Sequence, residues 1–127
     1  MTTFKAGGRE LALCFNLSAM DALEQELGQP IELADVKERI VEQTKERKKL
    51  LTILRVLAEE GAAVAGSEPP EEAWLKRHVR PGDLPRAQVA IFEAVAAGMS
   101  METAEGDEGE EVDVVLEELK KKVGTGG

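Results

Sequence analysis

The feature that most constrains the fold of this chain is the pair Gly7-Gly8, which separates two short segments of alternating character. Glycine accepts the positive φ that a two-residue hairpin turn requires, so the pair predicts that the chain reverses here. Reversal at the two glycines would place Ala6 opposite Arg9, Lys5 opposite Glu10 and Phe4 opposite Leu11. Lys5 and Glu10 would then pair opposite charges on one face, and Phe4 and Leu11 would pair two large apolar side chains on the other. Because an isolated hairpin is barely stable in water, it must pack on other elements.

Two segments after the hairpin have apolar residues at helical spacing. Asn16 or Ser18 can cap a first helix, which runs to about residue 27 and is stopped by Gly28. A second helix begins near Leu33 or Asp35. The sequence leaves open whether this helix continues through the polar stretch 42–47 or bends there.

The most hydrophobic segment begins at Lys48 and predicts the central helix, with apolar residues Leu50, Leu51, Ile53, Leu54, Val56 and Leu57. Gly61 and Gly66 predict that its end is frayed. Only four aromatic residues occur in the chain, so leucine, valine, isoleucine and alanine must supply most of the packing. This composition favours helices over a β-sandwich.

Two shorter helices are predicted beyond the central one. The first covers about 71–79, carries Trp74 and ends at the turn Arg80-Pro81-Gly82. Asp83 is predicted to cap the second, which ends near Gly98. The predicted buried stripe of this last helix consists of Val89, Phe92, Val95 and Ala96.

The C-terminal segment differs from the rest of the chain in its charge. Residues 1–99 contain 16 acids and 13 bases, whereas residues 100–127 contain 9 acids and 3 bases. The predicted fold class is mainly α (α+β), in which residues 1–99 form one domain with the N-terminal β-hairpin packed on four to five helices. Residues 100–127 are predicted to be a flexible acidic linker followed by a helix over 112–123.

Residues that could carry out chemistry are few. The chain has one cysteine, Cys14, and one histidine, His78. A metal site requires clustered ligands, so neither a metal nor a cofactor is predicted. Cys14 and His78 could in principle form a nucleophile and base. A cysteine in an apolar strand more often packs as a small apolar side chain, and His78 is expected to lie exposed at a helix end. We therefore predict no enzymatic activity.

Charge and hydropathy also limit the partners. Two basic clusters occur, one at Lys45, Arg47, Lys48, Lys49 and Arg55 and the other at Lys76, Arg77 and Arg80. Acids interleave with the first cluster and no aromatic residues accompany it, so a solvated face is favoured over a nucleic-acid contact. With a net charge of −9, no apolar stretch of membrane-spanning length and no signal-peptide core, the sequence predicts a soluble cytoplasmic protein without nucleic-acid or membrane partners.

Candidate partner-binding residues are therefore apolar. Trp74 is expected in the core by default, but tryptophan is enriched at the centres of interfaces, so Trp74 and Phe92 are candidate contacts. The predicted C-terminal helix offers Val115, Leu116 and Leu119, which could order on a partner.

The ordered set of these features resembles a known family. It comprises FKAGGRELALCFNLSAMDALEQELG, the leucine-rich LLTILRVLAEEG, the tryptophan-containing helix, VRPGDLPRAQVAIFEAVAAGM and the acidic C-terminus. Over roughly residues 4–99 the chain resembles the tail assembly chaperones of siphophages and related prophages.

This resemblance implies a function without catalysis. A tail assembly chaperone binds the tape measure protein, a long helical polypeptide, keeps it soluble and helps to recruit tail tube protein around it. The resemblance also implies that the chain self-associates, as some members form homo-oligomers, and that it is absent from the finished virion. Two alternatives remain open from the residues: another phage morphogenesis protein such as a head–tail connector, and a small nucleic-acid-binding regulator.

Overall fold

A computed structural model describes residues 2–100 of the chain. The predicted fold class is confirmed, because a two-stranded antiparallel hairpin packs on five α-helices within this range. The strands are β1 (Thr2–Ala6) and β2 (Arg9–Leu13), and the helices are α1 (Leu17–Leu27), α2 (Val36–Gln43), α3 (Arg47–Ala65), α4 (Glu72–His78) and α5 (Leu84–Met99). The predicted acidic linker and the helix over 112–123 lie outside the described residues.

The hairpin has the predicted register. Phe4 faces Leu11, Lys5 faces Glu10 and Ala6 faces Arg9, and both turn glycines have positive φ. The apolar pair Phe4 and Leu11 is buried, whereas Lys5 and Glu10 are exposed. Alternation along each strand therefore directs one face of the hairpin into the core.

The hairpin packs on α3, and Gly61 allows the two to approach closely. The backbone N–H of Cys14 donates to the carbonyl oxygen of Leu57 at 3.0 Å, and a Cβ at position 61 would collide with the carbonyl oxygen of Ala12. The prediction that Gly61 belongs to a frayed helix end is wrong. Gly61 is buried, and α3 continues to Ala65 because this part of the helix lies against β2.

Helices α1 and α2 follow the predictions in most respects. The Asn16 side chain accepts from the backbone N–H of Ala19 at 2.9 Å, so Asn16 rather than Ser18 caps α1. Helix α2 ends at Gln43, and the chain bends before α3 begins. At the bend, the buried Thr44 hydroxyl accepts from the side-chain amide of Gln88 at 3.0 Å, which ties this corner to α5.

Helix α5 buries a different face from the one predicted. Val89 is 54% exposed and Ala96 is also exposed, so these two predicted core positions are wrong, whereas Val95 is buried and Phe92 is half-buried. The buried stripe is instead Ala87, Ala90, Ile91, Ala94 and Val95. Small side chains suit this face because α5 packs closely on its neighbours, and a Cβ at Gly98 would meet the carbonyl oxygen of Phe15.

Asp83 precedes α5 but does not cap it as predicted. Its carboxylate accepts from the backbone N–H of Arg80 at 3.0 Å and pairs with Arg86 at 3.4 Å. The hydrogen bond from the Arg80 backbone, with the nearby Arg86 and Arg80 side chains, holds the pKa of Asp83 below its usual value. The carboxylate thus closes the short 3-10 turn Pro81–Asp83 that leads into the helix.

Candidate functional site

An uncharged groove of about 610 Å³ lies where the start of α1, the end of β2 and the end of α5 meet. We call it the apolar groove; its lining includes Leu13, Leu17, Met20, Leu33, Ala97 and Met99. Among residues 2–100, none of those that line it carries a charge. A depression whose described lining is uncharged, on a chain in which 32% of residues are charged, is a candidate binding surface.

Two leucines of the apolar groove are unusually exposed. Leu17 is 75% exposed and Leu33 is 65% exposed. Leu17 occupies the first position of α1, directly after the Asn16 cap, and Leu33 opens the 3-10 turn before α2. Burial of a leucine side chain contributes roughly 1.5–3 kcal/mol of favourable free energy. Because both leucines stay exposed in the folded chain, a partner that covers them gains this free energy on binding.

The side chains that line the apolar groove differ in burial. Leu13 and Phe15 at the floor are buried in the core, whereas Met20 and Met99 are half-buried. Methionine is unbranched and adapts to irregular partners. Half-buried methionines beside buried Leu13 and Phe15 suit apolar partners that vary in sequence.

Cys14 lies at the edge of the apolar groove and is held in its thiol form. Burial raises the pKa of the Cys14 thiol, and the charge of Glu60 raises it further. The Asn16 side-chain amide donates to Glu60 at 3.0 Å and lies 3.5 Å from the sulfur of Cys14. Burial and the Glu60 charge disfavour the thiolate that a nucleophile requires, and the long hydrogen bond that Asn16 donates to the sulfur does not offset them.

The structure does not bring Cys14 and His78 together. His78 contacts Gly7 at the hairpin turn, whereas Cys14 follows the opposite end of β2. The six steps along the chain from Gly8 to Cys14 span about 20 Å at the rise of an extended strand. The preference for packing over a catalytic pair agrees with this separation.

Trp74 and His78 attach α4 to the hairpin. The His78 ring stacks on the Trp74 ring with centroids 4.4 Å apart, and the Arg9 guanidinium lies 5.1 Å from the Trp74 ring centroid. The expectation that His78 is exposed is wrong, because it is half-buried by this stack and by Gly7.

The predicted contact residues do not coincide with the apolar groove. Trp74 and Phe92 are both half-buried against the core, and neither lines this groove. Val115, Leu116 and Leu119 lie outside the described residues. Sequence reasoning missed Leu17 and Leu33. The sequence did contain a sign of the exposed Leu17. It is a leucine at the first position of α1, whereas the buried residues of this helix, Ala19 and Leu23, come later.

A second groove brings the two basic clusters of the sequence together. We call it the basic groove; it has a volume of about 630 Å³ and is lined by the cations Arg47, Lys48, Arg55, Lys76 and Arg80. Leu51, Val79 and Leu84 also line it. The sequence shows the clusters only as two local basic patches, and α3 and α4 bring part of each onto one surface.

Within residues 2–100, no group of three histidine, cysteine, aspartate or glutamate residues could hold a metal ion. None of the helices in the same range combines the length and apolar character needed to cross a bilayer.

Comparisons of the chain with protein-family models, curated proteins and solved structures found no match.

Proposed function

We propose that this chain is a non-enzymatic tail assembly chaperone that binds the tape measure protein through the apolar groove. The observation that carries the proposal is the exposure of Leu17 and Leu33 in a groove whose described lining residues are all uncharged. The likeness of the sequence to tail assembly chaperones supplies the client. The exposed leucines supply a surface that a helical client can cover.

The proposed mechanism is the covering of apolar stripes. A long helical client exposes side chains at i, i+3, i+4 and i+7, and such stripes aggregate unless they are buried. The apolar groove accepts a stripe without leaving a charge buried and unpaired, which would be costly. The net charge of −9 would keep the complex soluble by repulsion between complexes. The same complex would recruit tail tube protein in the host cytoplasm.

Co-expression with the tape measure protein encoded by a neighbouring gene tests the proposal. We expect the client to be soluble and to copurify with this chain, and to be insoluble when expressed alone. Leu17→Glu combined with Leu33→Glu should abolish copurification, because two carboxylates would be buried against apolar client residues. Leu17→Glu places an acid in the first turn of α1, where the helix dipole favours it, so the variant should fold.

The matched control is Val64→Glu combined with Val89→Glu. These valines are 55% and 54% exposed and lie outside the apolar groove, so the same change in charge at exposed apolar positions should leave copurification intact. Equal loss in both double variants would contradict a specific role for the groove. An insoluble client in the presence of the wild-type chain, or this chain in purified virions, would contradict the chaperone function, and the latter result would favour a connector.

The basic groove favours a second candidate, a small nucleic-acid-binding regulator. Its affinity for DNA or RNA would fall steeply as salt rises, because phosphate contacts release counterions. Titration of a labelled duplex and a labelled single strand between 50 and 200 mM salt separates the candidates. A chaperone should bind neither, whereas a regulator should lose roughly tenfold or more in affinity over this range.

A further inference from the structure

The cations of the basic groove are unequally neutralised. Arg55 forms ion pairs with Glu26 and Glu59, each at 3.0 Å, and Lys76 pairs with Glu72 at 3.4 Å. Hydrogen bonds and charge from the two glutamates outweigh the opposing effect of burial and raise the pKa of Arg55. Arg47 and Lys48 have no ion-pair partner in the described part of the chain. Their charges are available to an acidic partner.

The basic groove also offers an apolar strip between its cations. Leu51, Val79 and Leu84 are half-buried and pack on the core with part of each side chain still accessible. The surface therefore fits an occupant that is acidic and carries a few apolar residues on one side. A nucleic acid fits less well, because its phosphate backbone carries charge but no aliphatic side chains that could cover this apolar strip.

The chain itself contains a segment of this chemistry. Residues 101–127 carry nine acids and three bases, and Val115, Leu116 and Leu119 recur at helical spacing among Asp113, Glu117 and Glu118. The acids precede the lysines, so the part nearest the domain has the highest negative charge. Charge and apolar pattern both complement the basic groove.

The connection is long enough for this segment to reach the basic groove. Leu84, at the start of α5, lines the groove, and α5 extends about 24 Å from there to Met99 at 1.5 Å per residue. Residues 101–111 can span at most about 36 Å when extended. The acidic segment can therefore return along α5 and place residues 112–119 over the groove.

We propose that the basic groove binds the acidic C-terminal segment of the same chain. The tether supplies an effective concentration on the order of millimolar, so weak contacts suffice to keep the segment bound. Exposed ion pairs are individually weak, so the segment should exchange readily and be released as salt rises. The proposal does not depend on the apolar groove or on the identity of the client.

Paramagnetic relaxation on the full-length chain tests this contact. A nitroxide is attached at Val123→Cys in a Cys14→Ser background, and the backbone amide signals of the 15N-labelled chain are compared with those of the reduced spin label. At low salt we expect amides of Thr52, Val79 and Leu84 to lose at least half of their intensity. Amides near Leu17 and Leu33 should keep theirs, and 0.5 M salt should restore the broadened signals.

Charge reversal identifies the residues that hold the segment. Arg47→Glu with Lys48→Glu should remove the broadening, and adding Glu117→Lys with Glu118→Lys should restore it. The matched control is Lys5→Glu with Arg77→Glu, which makes the same charge change in the shallow basic depression beside the hairpin turn. The control should leave the broadening intact, and an unchanged spread of amide signals would show that each variant folds.

Three outcomes would overturn the proposal. Amides of the basic groove could remain sharp at low salt, or the broadening could occur at the apolar groove or the depression beside the hairpin turn. A mixture of 15N-labelled chains and separately spin-labelled chains could also reproduce the full effect, which would assign the groove to the segment of a second copy.

Discussion

At the residue scale, position 61 controls how closely the hairpin and α3 approach. Gly61→Ala would gain up to about 1 kcal/mol in helix propensity if the site were open. The added methyl group meets the Ala12 carbonyl oxygen instead, and such overpacking costs about 1–3 kcal/mol. We expect a net decrease in the free energy of unfolding, measured by urea denaturation.

Gly82→Ala provides the control for this substitution. Position 82 has no heavy atom within 4 Å of an added Cβ and does not have a positive φ, so the change should alter stability by less than about 0.5 kcal/mol. A stabilised Gly61→Ala variant would show that the hairpin does not pack on α3 at this point.

Cys14 should react slowly with thiol reagents. Because its pKa is raised, the folded chain holds less thiolate at pH 8 than a free cysteine, and its reaction with iodoacetamide should be at least several-fold slower than that of a model thiol. Glu60→Gln removes the charge that helps raise the pKa and should increase the rate. An unchanged rate would show that Glu60 does not act on the thiol.

The raised pKa of Cys14 also predicts that the free energy of unfolding decreases at high pH. A thiol with a raised pKa in the folded state keeps its proton where the unfolded chain has lost it, so folding is favoured less as pH rises above about 9. Cys14→Ser should flatten the loss of unfolding free energy between pH 8.5 and 10. An equal slope in both proteins would contradict the raised pKa.

Residue-level prediction from the sequence succeeded where the determinants are local. The register of the hairpin follows from Gly7-Gly8 and from the pairing of neighbours in sequence. The role of Gly61 could not be predicted, because its contact with Ala12 joins segments 49 positions apart. A glycine near a helix end has the same local signature whether the helix frays or packs closely.

At the element scale, Asn16 both caps α1 and connects it to α3 through Glu60. Asn16→Ala should lower the free energy of unfolding by about 1 kcal/mol for the lost cap. Ser18→Ala, at the other position that the sequence offered as a cap, should change stability by less than about 0.5 kcal/mol. Urea midpoints of the two variants test this order, and equal effects would contradict the assignment of the cap.

Helix α5 shows why helix existence was easier to predict than helix orientation. Its length follows from a continuous apolar pattern, but valines and alanines occur on several sides and allow more than one stripe. The sequence predicts that Val89, with a larger side chain than alanine, lies in the core. In the structure the face with Ala87, Ala90 and Ala94 is buried instead, because small side chains let α5 lie close to its neighbours. The face of such a helix depends on the distance to its neighbours, which the sequence of the helix does not contain.

At the scale of the whole molecule, the two grooves are separate surfaces with different chemistry. The apolar groove lies at the C-terminal end of α5 and the basic groove at its N-terminal end, and their nearest lining residues on the helix, Leu84 and Ala94, are about 15 Å apart along it. The sequence could predict neither groove, since each combines residues from elements distant in the chain. It did predict the basic clusters and the acidic segment, whose roles depend on how the helices are arranged.

Separate surfaces should behave independently. Arg47→Glu with Lys48→Glu should change the affinity for a tape measure fragment by no more than about twofold, because distant sites add within about 0.3–0.5 kcal/mol. Isothermal titration with purified fragment measures this. A tenfold change would show that the basic groove takes part in client binding or is coupled to it.

The central claim is that a helical client lies in the apolar groove, and methyl NMR of the full-length chain tests it most directly. A soluble fragment of the tape measure protein is titrated into chain labelled at leucine, valine and methionine methyl groups. We predict the largest shift changes at Leu17, Met20, Leu33 and Met99, with Val64 and Val89 unchanged. Saturable binding with its largest changes away from the apolar groove, or no binding at all, would contradict the claim.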